Sequence, residues 1–206
     1  MSLDFDTAFA RCPLVAILRG VRPDEIDAIG DGLVEAGFTL IEVPLNSPDP
    51  LDSIARLAKR LDGRAVVGAG TVLQTSQVDD VRAAGGRIIV SPNANPAVIA
   101  AAASAGLASL PGIATPTEAF AALDAGATAL KLFPAEAASP AVLKAMRAVL
   151  PRDVRMLPVG GISPDTMAPW LTAGADGFGL GSALYTIGRS ADDVAARARE
   201  FVAALG

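Results

Sequence analysis

Ala129-Leu130-Lys131-Leu132-Phe133-Pro134 is an apolar run with one charge at its centre. A helix-ending glycine, Gly126, comes just before it, and Ser139-Pro140, a helix opening, comes soon after. The run is too short for a helix and reads as a buried strand inside a strand–turn–helix unit. The same unit recurs along the chain. Candidate strands are Val15–Arg19, Leu40–Leu45, Ala65–Gly70, Arg87–Ser91, Leu107–Pro111, Ala129–Phe133, Met156–Val159 and Gly177–Gly181. Candidate helices open near Pro23, Asp49, Thr75, Pro96, Thr115, Ser139, Ser163 and Ala191. Glycines at 37, 85, 106, 126 and 174 suit left-handed helix ends. Eight such units without a linker predict an α/β fold, a closed (β/α)8 barrel occupying residues 1–206 as one domain. An open doubly wound sheet is the alternative. It would usually place a glycine-rich dinucleotide turn after the first strand, and Arg19-Gly20-Val21-Arg22-Pro23 is not one.

Composition narrows the chemistry. The chain of 206 residues has no histidine and one cysteine, Cys12. Ser-His-Asp and Cys-His nucleophile systems are thereby excluded, and a structural zinc site has no ligand set. Any catalysis must use lysine, carboxylates, arginine, backbone amides or a metal held by oxygen. The acidic start Met1–Asp6 lacks the basic and apolar regions of a signal peptide, and no apolar stretch is long enough to span a bilayer. With a lone cysteine, this reading predicts a cytoplasmic protein without a membrane partner. The net charge of −5 argues against nucleic acid but not against a small anion met by a local group of donors.

Strand alternation aims the polar residues. Ala129, Lys131 and Phe133 share one face of their strand, and Leu130 and Leu132 share the other. The leucines suit the helix-facing side, so Lys131 points into the barrel. The same parity turns Glu42 inward with Leu40 and Pro44, and Arg19 inward with Val15 and Ile17. Thr71 follows the small residues Gly68-Ala69-Gly70. Lys131, Glu42, Arg19 and Thr71 therefore converge at the C-terminal mouth, where barrel active sites lie. Burial lowers a lysine pKa and leaves a free amine that can attack a carbonyl. The plain structural alternative is a buried Lys131–Glu42 ion pair, which adds little stability over apolar packing. Two further turns, Gly160-Gly161 and Gly181-Ser182, follow the seventh and eighth strands, where barrels commonly bind phosphate.

Taken together, Ile17-Leu18-Arg19-Gly20, Ile41-Glu42-Val43, Val67–Leu73, Ser91-Pro92, Pro111-Gly112, Lys131–Glu136, Val159–Ser163 and Gly179–Ser182 make the chain resemble the class I 2-keto-3-deoxy-6-phosphosugar aldolases over nearly its whole length. The resemblance implies an imine-forming Lys131 and a general acid/base Glu42. It places Arg19 and Thr71 at the pyruvate carboxylate, Phe133 beside the imine, and Gly160, Gly161, Gly181 and Ser182 on the 6-phosphate. It implies a phosphorylated keto-deoxy sugar acid and pyruvate as ligands, no cofactor or metal, and a homotrimer. Glu42-Val43-Pro44-Leu45-Asn46, Val159 before the paired glycines, and Leu184-Tyr185 resemble the phosphogalactonate branch rather than the C4-epimeric phosphogluconate branch. A sugar-phosphate isomerase or a non-catalytic sensor would share the phosphate turns without an imine, and a metal-dependent aldolase is the weakest rival.

Overall fold

A barrel strand buried on both faces is carried by Val, Ile, Leu and Ala, and the chain supplies such runs at regular intervals. In the computed structural model, which describes residues 3–206, they alternate with helices. The first two residues of the acidic start, Met1 and Ser2, lie outside the described residues. In chain order the elements are α1 (Phe5–Arg11), β1 (Leu14–Ile17), α2 (Ile26–Glu35), β2 (Leu40–Pro44), α3 (Pro50–Arg60), β3 (Val66–Gly70) and α4 (Thr75–Ala83). Next come β4 (Ile88–Val90), α5 (Pro96–Ser104), β5 (Ala108–Leu110), β6 (Gly112–Ile113), α6 (Pro116–Asp124) and β7 (Leu130–Leu132). The chain ends with α7 (Pro140–Arg147), β8 (Met156–Pro158), α8 (Met167–Thr172), β9 (Phe178–Leu180) and α9 (Ala191–Ala203). Short 3-10 turns at Ala135–Ala137 and Pro164–Thr166 follow β7 and precede α8.

All ladders are parallel. They form a six-stranded sheet, β5-β4-β3-β2-β1-β9, and a three-stranded sheet, β6-β7-β8. The expected α/β fold with a curled parallel sheet is present, but the ladder is not one continuous eight-stranded ring. Two prolines account for the seams. Pro111 has no N–H to donate, so the predicted strand 107–111 ends as β5 and the chain resumes as β6. Its carbonyl still accepts from Lys131 N–H at 2.9 Å. Pro158 closes β8 in the same way, and beyond it the bridge Val159–Gly179 joins the two sheets.

Proline opens α3, α5, α6 and α7, where its missing N–H is no loss. Asn95, Thr115 and Ser139 cap three of these with side-chain oxygens. The helix expected near Pro23 begins later, at Ile26. Arg22 N–H donates to Glu25 Oε1 at 3.1 Å, and this local turn uses up the first residues.

The alternation of the strands sorts the core into two clusters. Ala16, Ile41, Val43, Leu130 and Leu132 pack outward against the helices. Val15, Leu40, Val66, Leu110, Ala129 and Leu157 pack inward, at the N-terminal end of the strands. Helix α1, which the sequence reading did not anticipate, closes that end: Phe5, Ala8 and Phe9 join the inner cluster. Asp4 starts it by accepting from Thr7 N–H at 2.7 Å. The Arg155 guanidinium lies 5.0 Å from the Phe9 ring centre and pairs with Asp6 at 2.6 Å. With this end plugged, the opposite mouth is the open one.

Candidate active site

Above the inner apolar layer, β2 and β7 each turn one ionisable side chain inward. Glu42 is 2% exposed and Lys131 8%. The room for Glu42 is made by a glycine. A Cβ on Gly70, the last residue of β3, would lie 1.4 Å from Glu42 Oε2. That oxygen is buried and has no hydrogen-bond partner among the described residues. Among the described residues no ion pair within 4.0 Å joins Lys131 to Glu42, so the purely structural reading loses its main support.

Burial pushes the Glu42 carboxyl up to about 7, with the positive charges of Lys131 and Arg19 pulling the other way. Burial likewise pushes the Lys131 amine below its usual range, against the pull of Glu42. Lys131 Nζ stands 4.6 Å from the centre of the Phe133 ring. The pair thus holds a carboxyl that can give or take a proton near neutral pH and an amine biased toward its free form.

Arg19 reaches the rim from the end of β1. Its Nη1 donates to Asn46 Oδ1 at 2.7 Å and lies 3.5 Å from Thr71 Oγ1. Thr71 has φ +58°, a left-handed conformation rare for a β-branched residue. Strain of this kind is held where the surrounding structure dictates it, here between β3 and the Arg19 contact.

A cavity of about 800 Å³ opens at the mouth. Ile17, Arg19, Lys131, Phe133 and Val159 line it, together with Gly160, Gly161, Gly181 and Ser182. Glu42 belongs instead to a void of about 10 Å³ beneath it, lined also by Lys131, Val15, Leu110 and Leu157. That is about the room of one water molecule. Lys131 touches both spaces, so it links the carboxyl below to the cavity above. Thr71 lines neither and belongs to the site through Arg19.

Further residues to which sequence reasoning gave no role in the site also border the cavity, among them Glu136, Tyr185 and Ile187. Glu136 brings a carboxylate to it, and a Cβ on Gly160 would lie 2.0 Å from its Oε2. Its position in the Lys131–Glu136 stretch was the only sequence signal. Tyr185 is buried, lines the cavity and donates to Glu25 Oε1 at 2.9 Å. Ile187 is 72% exposed at the mouth, and a Cβ on Gly20 would lie 2.7 Å from its Cδ1. Trp170 packs in the helix-facing core, and Cys12 is buried with its thiol pushed up by desolvation.

An amine and a carboxyl of these properties, under a cavity edged by glycine turns, suit condensation with the carbonyl of a small anion. The comparisons agree with that chemistry. Residues 5–198 match the family model described as KDPG and KHG aldolase. A probable 2-dehydro-3-deoxy-6-phosphogalactonate aldolase of Rhizobium meliloti is 50% identical over 93% of this chain and 91% of its own length. The 2-dehydro-3-deoxy-6-phosphogalactonate aldolase of Escherichia coli is 46% identical over 94% of this chain and 95% of its own. A solved structure described as native KDPGal superimposes with a TM-score of 0.94 at 44% identity, covering 100% of this chain and 97% of that one. The chain belongs to the KDPG and KHG aldolase family, and it is an aldolase, a carbon–carbon lyase.

Proposed function

We propose that this aldolase cleaves 2-dehydro-3-deoxy-6-phospho-D-galactonate to pyruvate and D-glyceraldehyde 3-phosphate through an imine on Lys131. The observation that carries the reading is the buried, unpartnered Glu42 carboxyl sharing one void with the Lys131 amine beneath the cavity. The Lys131 amine attacks the C2 carbonyl, and the carbinolamine loses water to an iminium as Glu42 relays protons. The C3–C4 bond then breaks. Its electron pair moves into an enamine, and the C4 hydroxyl gives its proton to Glu42. Glyceraldehyde 3-phosphate departs. Glu42 returns a proton to C3, and water hydrolyses the resulting pyruvate iminium, freeing the lysine. One carboxyl serves as base and then acid because the steps occur in sequence, and a pKa near neutrality suits both. Phe133 packs beside the imine.

Arg19 and Thr71 take the carboxylate end of the substrate in this reading. Gly160, Gly161, Gly181 and Ser182 take the 6-phosphate through their backbone amides. Val159 on the cavity wall offers no hydroxyl, and Asn46 is held by Arg19. Both features, with the names of the two relatives, favour the galactonate over the C4-epimeric gluconate substrate. Residues 1–206 form one domain, the two sheets act as one closed eight-stranded barrel, and the assembly is a cytoplasmic homotrimer that needs no cofactor. No helix among the described residues is long and apolar enough to cross a membrane.

Borohydride reduction with pyruvate, followed by peptide mapping, tests the mechanism. A pyruvate adduct on Lys131 is expected, and a folded protein without one excludes the imine. Kinetics on the two epimers test the substrate: kcat/KM is expected to be at least about tenfold higher for the galactonate, the scale of a single polar contact.

A further inference from the structure

The turn that follows β9 is held from behind by a cation that none of the foregoing assigns. Arg189 Nη1 lies 2.7 Å from the carbonyl oxygen of Leu184 and 3.3 Å from those of Ser182 and Ala183. Arg197 Nη1 adds a contact to Ala183 O at 3.4 Å. Within the turn, Leu184 and Tyr185 N–H donate to Gly181 O, each at 2.9 Å. In such a helical turn carbonyls point one way along the axis and N–H groups the other. The carbonyls of 182–184 are drawn to Arg189, which does not itself line the cavity. The N–H groups of Ser182 and Ala183 have no backbone or side-chain acceptor among the described residues, and both residues line the cavity. Glycines cannot supply this order themselves, since Gly181 meets nothing within 4 Å of where a Cβ would be and is free to turn.

We infer that Arg189 is a positioning residue for the phosphate of the substrate: by gathering three carbonyls it fixes the β9 turn with its amides facing the anion. The inference rests on the phosphate reading given under Proposed function and deepens it. All three contacts are made by Nη1, and a guanidinium suits the task because its rigid planar head fixes that nitrogen against the turn, which a lysine ammonium on its flexible stem does less well. It also adds positive charge behind the turn, in the sense that favours an anion in front.

The test pairs Arg189→Met and Arg189→Lys with the wild-type enzyme, using inorganic phosphate as the probe. Binding is followed by the NMR shifts of the Ser182 and Ala183 amides. The rate of borohydride trapping with pyruvate, which bears no phosphate, is measured on the same samples. Arg189→Met is expected to weaken phosphate binding about tenfold and to raise KM for the phosphorylated substrate in step, with kcat and pyruvate trapping unchanged. Arg189→Lys is expected to fall between. Unchanged phosphate affinity in both variants overturns the role of Arg189 alone. Equal losses with pyruvate and phosphate also overturn it, since they mark a general structural defect. If the wild-type amides of Ser182 and Ala183 do not respond to phosphate, the phosphate reading fails and the inference falls with it.

Discussion

The two ends of the strands are built on opposite principles. At the N-terminal end Leu3, Phe5 and Phe9 cover Val15, Leu40, Val66 and Leu157, and each residue does what its type does in any core. At the C-terminal end the local rules are broken repeatedly. Two ionisable groups are buried, Thr71 is left-handed, and Gly70 is a glycine because a Cβ there would collide with Glu42. A fold gains nothing from such features, so they mark where binding and chemistry take precedence over packing. Stability and activity should therefore be separable along the axis of the molecule.

The sharpest separation is expected from Lys131→Met. Turnover should fall by about 10⁴-fold or more, because the covalent route is lost. The melting temperature should stay level or rise, since burial disfavours the ammonium form that the methionine removes. Steady-state kinetics beside thermal melting decide this, and retained activity above about one per cent would reassign the nucleophile. Phe9→Ala is the converse experiment. It opens a cavity in the plug, and loss of about 3–4 kcal/mol is expected, a fall in Tm of roughly 10 °C. Well below that Tm, kcat/KM should match the wild type. A parallel loss of activity would mean that the plug and the mouth are coupled. Gly70→Ala breaks the comparison at its boundary, because its new methyl forces Glu42 Oε2 out of a space 1.4 Å away. A fall in kcat of about 10²-fold is expected, together with roughly 1–3 kcal/mol of strain from overpacking, read by denaturant titration.

How far the molecule could be read in advance follows the same division. Strand positions and inward parity came through because they depend on a two-residue period that survives any tertiary detail. Leu40 and Glu42 face in, and Ile41 and Val43 face out. Lys131 and Glu42 stood out because a charge inside an apolar strand is a violation visible in one dimension. Helix α1 escaped. It has seven residues, and its only local signals are the Asp4 cap and the Phe5/Phe9 pair. The barrel end it covers exists only after folding. The break at Pro111 was legible in principle, since proline cannot donate to a ladder, but the expected strand was carried through it. Tyr185 was noticed only for following Ser182, and Glu136 and Arg189 were given no role, because loops alone decide which carboxylate, phenol or guanidinium comes near the glycine turns.

The smallest expected effect concerns the stability that Glu42 itself costs. Its carboxyl rises from an ordinary 4.5 to about 7 in the folded protein, chiefly through burial. The folded state then binds the proton more tightly than the unfolded chain does. The contribution is fully present below pH 4.5 and is lost as pH rises through about 7. Taken alone, the shift sets a ceiling of about 3 kcal/mol, at 1.36 kcal/mol per unit. Lys131 acts in the opposite sense: its lowered pKa lets stability recover as pH climbs from that value toward 10.5. From Glu42 alone, the loss between pH 5 and pH 7 should be about 2 kcal/mol. In Glu42→Gln, which has no proton to lose, the slope over that window should flatten, so that the variant gains on the wild type as pH rises. Denaturant titrations at several pH values decide it. An unchanged slope would mean that Glu42 stays ionised throughout, and the carboxyl could then act as a base but not as the acid that returns a proton to the enamine.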